Sequence, residues 1–392
     1  MWTSRHVGRP ARGARRAGGW GGGGPSRPGP NRGRAVGVGQ GGGGRPFRLP
    51  PAPRSSTASR RPTVKSPSPR EDSSPPLSRR RFARLAAVGL AAGAGAAGLT
   101  SSPATAATDG RSYYDRADRL AGEDPVLRNL VRALTPGLAP PSLPAPAPVK
   151  LFDDLAMLSV GFVHAMAVLT DDGIVLVDAL RSPEDAENVI VPGLRELGAD
   201  PEAIKYVVVT HGHYDHFGGA QYLADRYGSR VLMSPADWDL VERTRPDHAP
   251  VRDLEITDGQ HLTLGGTTLR LYDTPGHTAG TVSPVFPVRT GSESHTAMLW
   301  GGTRPTRTLS ELRTYLASIR SFRDRMRRAG VDVELANHPI DDGLARAEQV
   351  RAEPDGDNPF VLGRRRADRF MAVMDLMLRG WTADAEAREG GE

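Results

Sequence analysis

Past residue 150 the apolar positions fall into two rhythms. Short aliphatic and β-branched runs at residues 151–160, 165–169, 174–178 and 206–210 have the length and composition of strands. The turn Thr170-Asp171-Asp172-Gly173 joins the second and third as a hairpin, and Gly265-Gly266 joins 262–264 to 267–272 in the same way. Helical stretches fall between the strands at 182–197, 218–227 and 235–243, the first opened by Ser182 as N-cap and Pro183 at the first helical position. Residues 114–134 predict one or two helices broken at Asp124-Pro125, and 140–148 a stiff, proline-rich connection. Leu309, Leu312, Leu316 and Ile319 mark an apolar stripe on a helix over 309–328, which leaves its arginines on a solvated face. Phe370, Val373, Met374 and Met377 mark a C-terminal helix. Helices and strands interleave, yet hairpins recur too often for a doubly wound sheet. The pattern fits an α/β fold of two mixed β-sheets flanked by helices.

The pattern is absent upstream. Residues 1–77 are rich in Gly, Pro, Ser and Arg, with runs at Gly21 to Gly24 and Gly41 to Gly44, and cannot bury enough surface to offset ordering entropy. A basic tail for nucleic acid is one reading; a true start further down, for instance at Val64, is another. Residues 78–107 then give a basic Arg79-Arg80-Arg81-Phe82, a modestly apolar Ala/Gly/Leu run and Ala104-Thr105-Ala106. That order describes a signal peptide of the twin-arginine type, hence export to the periplasm or the extracellular space. The apolar run is too short and glycine-broken for a stable membrane span after cleavage. The domain proper occupies 108–392.

Charge sharpens this division. The chain carries +6 overall, but residues 1–106 hold 19 of the 51 basic and 2 of the 45 acidic side chains, so the remainder is acidic. It has no electrostatic case for gripping nucleic acid, which points to a small-molecule substrate. Oligomeric state is not legible. Cysteine is absent, which excludes disulfides and thiolate metal ligands.

The chemistry concentrates after the strand at 206–210, in His211-Gly212-His213-Tyr214-Asp215-His216. Three imidazoles and a carboxylate leaving a buried strand are costly unless paired or bound, and they are the donor types zinc takes outside thiolate sites. His277, between glycines in Pro275-Gly276-His277-Thr278-Ala279-Gly280, and His338, in Asn337-His338-Pro339, also follow strand-like runs. Together they bring the ligand count to six, enough for two zinc ions sharing a water.

These motifs resemble the metallo-β-lactamase superfamily over roughly residues 150–363. The resemblance implies a four-layer αβ/βα sandwich with two Zn²⁺, the first on His211, His213 and His277, the second on Asp215, His216 and His338. Asp178 matches the family's acid that supports the metal loop from behind. Many members carry a bridging aspartate, or a cysteine, between the last two histidines; this chain has Leu299-Trp300-Gly301-Gly302-Thr303 there. Lactamases of the third subclass need neither, and His216-Phe217-Gly218-Gly219 and Asn358-Pro359-Phe360-Val361 also look like that subclass and its relatives.

The implied activity is hydrolysis of an amide or ester by a zinc-bound hydroxide that Asp215 orients, β-lactam cleavage first, another ester, lactone or amide second. His164, Thr303 and Arg304 are candidate substrate contacts, Arg304 for a carboxylate. A nucleic-acid-processing relative is disfavoured by the acidic domain, the export signal and the missing bridging aspartate. A diiron redox relative would show a carboxylate at His213 and an attached flavin domain. A metal-dependent binding protein without turnover is the alternative from another class.

Overall fold

Strands built from uninterrupted apolar runs can be covered on both faces, and β2 (Leu155–Ser159) and β4 (Gly173–Val177) are buried at every position. The computed structural model describes residues 109–138 and 143–390. The tail expected over 1–77 and the leader expected over 78–107 lie outside the described residues, as do positions 139–142 of the proline-rich connection.

One sheet places β1 (Val149–Phe152), β2, β3 (His164–Thr170), β4, β5 (Ile204–Val208), β6 (Arg230–Met233) and β7 (Leu254–Glu255) side by side in chain order. Pairing is antiparallel as far as β4 and parallel from β4 to β7. The other sheet runs β12–β11–β10–β9–β8, with β8 (Gln260–Leu264), β9 (Thr267–Asp273), β10 (Val282–Thr290) and β11 (Glu293–Trp300) antiparallel and β12 (Val333–Ala336) parallel to β11. Both are mixed sheets, as the sequence implies.

Three apolar clusters fill the spaces between layers. Val168, Val175 and Leu232 of the first sheet meet Leu271, Phe286 and Leu299 of the second. The far face of the first sheet, with Leu176 and Val207, packs on Leu194, Leu223 and Trp238. These belong to α4 (Val191–Glu196), α6 (Ala220–Tyr227) and α7 (Pro235–Thr244), the short α3 (Pro183–Asp185) and α5 (Tyr214–Phe217) lying beside them in the chain. The far face of the second sheet, with Met298 and Trp300, packs on Leu127, Phe322 and Phe370. Those come from α2 (Pro125–Leu134), α8 (Leu309–Ala329) and α10 (Arg364–Glu389), joined by α1 (Gly110–Ala121). Helix, sheet, sheet, helix is the four-layer sandwich.

Several local readings change. Residues 151–160 form two strands, because the chain reverses at Asp153-Asp154, where Asp154 accepts the Arg289 amide at 2.8 Å. The helix over 182–197 is broken by a π-helical turn, Ala186–Ile190, ahead of Pro192 and Gly193. β10 carries Pro284 and Pro287, which lack the ladder donor and disguise an inner strand. α9 (Gly343–Ala352) opens on Asp342 without a side-chain cap and has no sequence signature. The arginine face of α8 pairs with α10, through Arg323 and Arg327 to Asp368 and Arg320 to Asp375.

Candidate metal centre

The six donors arrive from three strand ends on one edge of the sandwich. β5 leads through Val209-Thr210 into His211, His213, Asp215 and His216; β9 leads to His277 and β12 to His338. The donors form two groups, His211/His213/His277 and Asp215/His216/His338, whose candidate ligand atoms lie within 4.8 Å of one another.

Proton positions show what each group is built to hold. A carbonyl oxygen only accepts, so the Nδ1 of His211 donates to Gly301 (2.7 Å), that of His277 to Arg304 (2.8 Å) and that of His338 to Phe162 (2.8 Å). His216 Nδ1 donates to the Asp178 carboxylate at 2.7 Å. Burial, the leading cause in each case, holds His211 well below the usual imidazole range and His216 and His277 down at about 3, so these three rings are neutral. Their Nε2 atoms are therefore bare lone pairs. Yet Nε2 of His277 stands 3.1 Å from Nε2 of His211 and 3.1 Å from Nδ1 of His213, and Nε2 of His216 stands 3.1 Å from Nε2 of His338. Bare lone pairs facing at that distance, as on His211 and His277, repel unless a cation lies between them. Nitrogens bound about 2.0–2.1 Å from a tetrahedral zinc stand about 3.3 Å apart, so the spacing suits that ion. Asp215 Oδ2 completes the second group at 3.6 Å from both of its imidazoles.

The carboxylate behind this arrangement is Asp178, fully buried and held at a left-handed φ of 64°. It accepts from the Thr210 amide (2.8 Å) and hydroxyl (2.9 Å) as well as from His216, while burial pushes its pKa up to about 7. A strained non-glycine backbone at such a point is typical of a functional site.

Sequence reasoning missed two further supports. Asn337 Nδ2 bridges Gly301 O (2.9 Å) and Asp178 (3.2 Å), joining both groups from below. Asp237, at the start of α7, accepts from the amides of Gly212 (2.8 Å) and Gly280 (3.0 Å) and from the Thr278 hydroxyl (2.6 Å). It clasps the loop of His211 to the loop of His277. A lone aspartate in a helical first turn reads as a cap, so no local signal marked it. Farther back, buried Arg346 donates to Glu334 on β12 at 3.0 Å and to Asp341, fixing the segment after His338.

Five of the six donors, all but His216, border a pocket of about 720 Å³ whose other walls are largely apolar, with Leu138, Phe162, Pro305, Ile340 and Trp381. Trp381 of α10 donates to the Leu134 carbonyl at 2.7 Å, so the terminal helices shape this wall together. Thr303 and Arg304 line the pocket as expected. His164 does not. It is buried beneath the site, its Nδ1 2.7 Å from the Ser159 hydroxyl, because β3 begins with it and turns its side chain into the interior. No bridging carboxylate stands between the groups at the end of β11, and the backbone shows why: a Cβ on Gly302 would lie 2.7 Å from that of His277.

A family model described as the metallo-beta-lactamase superfamily matches residues 158–290. Among curated proteins, the chain is 37% identical over 83 residues to a hydroxyacylglutathione hydrolase of Acidiphilium cryptum (strain JF-5), covering 21% of this chain and 31% of that protein. To the hydroxyacylglutathione hydrolase of Bradyrhizobium sp. (strain ORS 278) it is 26% identical over 216 residues, 49% of this chain and 81% of that protein. The first of these matches spans less than a third of the relative's length. Among solved structures, Rm3 metallo-beta-lactamase superposes with a TM-score of 0.53 at 23% identity, over 64% of this chain and 97% of that one. MEM-A1, a subclass B3 metallo-beta-lactamase from a soil metagenome library, gives 0.53 at 24%, over 63% and 99%. Residues 158–290 thus match the metallo-beta-lactamase superfamily, and the fold is shared with the solved metallo-beta-lactamases.

Proposed function

We propose that the protein is a dizinc hydrolase that cleaves an activated acyl bond, a β-lactam-type amide in the first place. The observation that carries this is the pair of three-donor groups, their lone pairs turned toward one another, at the wall of an apolar pocket. Bound zinc would supply Lewis acidity and a water deprotonated near neutral pH.

The chain's own residues do the rest. His211, His213 and His277 would hold one ion and Asp215, His216 and His338 the other, with Asp178 and the three backbone carbonyls fixing the ring tautomers. Asp215 is the carboxylate lining the pocket among the described residues, so it is the group that can accept a hydrogen bond from the attacking water and aim it. The apolar walls seat the acyl portion and exclude bulk water. Water adds to the carbonyl carbon, the bond to the leaving nitrogen, oxygen or sulfur breaks, and the leaving atom takes a proton. Arg304, exposed at the rim, suits an anionic group on the substrate.

Support for a β-lactam comes from the solved neighbours and from the Asp-His-His second group with no room for a bridging carboxylate. The second reading, a thioester, ester or lactone, draws on the curated relatives, which are named hydroxyacylglutathione hydrolases. Rates on a chromogenic cephalosporin and on an acyl thioester, before and after chelation and zinc return, decide between them. Export through the leader over 78–107 belongs to the same proposal, supported by Arg79-Arg80 and the small residues at 104–106. Retention of an Arg79→Lys/Arg80→Lys precursor in the cytoplasm would support it, and unchanged secretion would contradict it. Among the described residues no helix is long and apolar enough to cross a membrane.

A further inference from the structure

Beside the metal pocket lies a second hollow of about 440 Å³ that shares Gly137, Arg304, Pro305 and Trp381 with it and adds Arg307 and Arg388. Among the described residues, three arginines and no acidic side chain line this space. Of the acids near Arg388 on α10, Asp384 accepts the Tyr114 hydroxyl at 2.7 Å, Glu386 pairs with Arg313 at 2.9 Å, and Glu389 lines a different hollow. All three arginines are exposed, and an anion seated among them would relieve the repulsion between their like charges. A second observation lies at the seam. The hydroxyl of Thr303, a residue only 5% exposed that lines the metal pocket next to Arg304, has no hydrogen-bond partner among the described residues. The Arg304 carbonyl also holds the His277 ring, so the arginine loop and a metal ligand are one rigid piece.

We propose that this hollow is an anion subsite and that the substrate carries a phosphate group there, joined to the acyl portion seated over the metal groups. One carboxylate satisfies one bidentate arginine, whereas a phosphate monoester brings about −1.5 to −2 charges and three acceptor oxygens, which matches three guanidinium forks. Pro305 and Trp381, common to both spaces, form the wall along which the linking atoms run. The inference rests on the hydrolase reading for its substrate, but the subsite itself is read independently.

S-acyl phosphopantetheine and S-acyl pantetheine present the same thioester with and without a phosphate. With the zinc-loaded full-length protein, kcat/KM should favour the phosphorylated probe by roughly tenfold or more, and Arg307→Ala/Arg388→Ala should bring that preference close to unity. Equal kcat/KM in the native protein overturns the subsite and leaves the hydrolase reading standing. Turnover of neither probe counts against a thioester hydrolase, and calorimetry with phenyl phosphate then decides the subsite. Binding to the zinc-loaded protein that weakens roughly tenfold in the double variant supports it, because an anion held by metal alone would not respond to distant arginines. No binding, or binding that the variant leaves unchanged, overturns it.

Discussion

Nδ1 of His216 donates to Oδ2 of Asp178 across 2.7 Å, with both side chains fully buried. That bond fixes which nitrogen of His216 faces the second donor group, and the same carboxylate holds Thr210, next to His211. Asp178→Asn offers an amide where an acceptor of several donors is needed. Zinc affinity at the His216 group should fall by about 10–100-fold, read by competition with a chromophoric chelator. Unchanged affinity would remove Asp178 from its supporting role.

Asp215 and His338 belong to one donor group, so their loss should be selective. Asp215→Asn and His338→Ala are each expected to fold and to retain the ion on His211, His213 and His277 while losing the other, seen as one zinc per chain by elemental analysis. Turnover of Asp215→Asn should fall by roughly 10²-fold, about 3 kcal/mol of transition-state stabilisation. Near-normal turnover of the zinc-saturated variant would contradict the role given to this carboxylate.

Asp237 ties Gly212 to Gly280 and so sets the spacing between His213 and His277. Asp237→Asn cannot accept from both amides and the Thr278 hydroxyl together. A stability loss of about 1–3 kcal/mol in urea unfolding should accompany weaker zinc binding at the first group. A variant that lost stability with unaltered zinc affinity would reduce Asp237 to a purely structural bond.

Much of this site was legible because its donors cluster. His211 to His216 sit within six residues after an apolar strand, and zinc chemistry explains such a cluster without any tertiary knowledge. His277 and His338 became readable only by adding to that count. Asp237 and Asn337 were not readable, because their partners lie on distant loops. His164 was misplaced for a related reason: a strand's first residue points to either face, and the register that turns it inward is set by pairing with Ser159. In the fold, β10 hid behind Pro284 and Pro287, and α8's arginine face was read as solvated because its acidic partners lie on α10, more than forty positions further along the chain.

That interhelical network carries a pH dependence. Hydrogen bonds from Arg323, and then from Arg327, hold the Asp368 carboxyl down at about 2 against an ordinary value of 3.8. A depressed folded-state pKa gives stability that is present above pH 3.8 and is lost as the pH falls toward 2. Allowing for partial exposure, Asp368→Asn should cost about 1 kcal/mol at pH 6 in urea unfolding. The gap to the native protein should close as the pH falls through that window; a gap constant with pH would deny the pairing its electrostatic role.

We propose that two zinc ions, one on each donor group, carry the hydrolysis. That role is tested most directly by stripping the full-length protein with a chelator and following turnover of a chromogenic cephalosporin and an acyl thioester as zinc is returned. Negligible turnover is expected without metal, with recovery on at least one substrate that levels off at about two zinc per chain. Turnover that persists in metal-free protein, or zinc that fails to bind or binds without restoring hydrolysis of either substrate, would contradict that role.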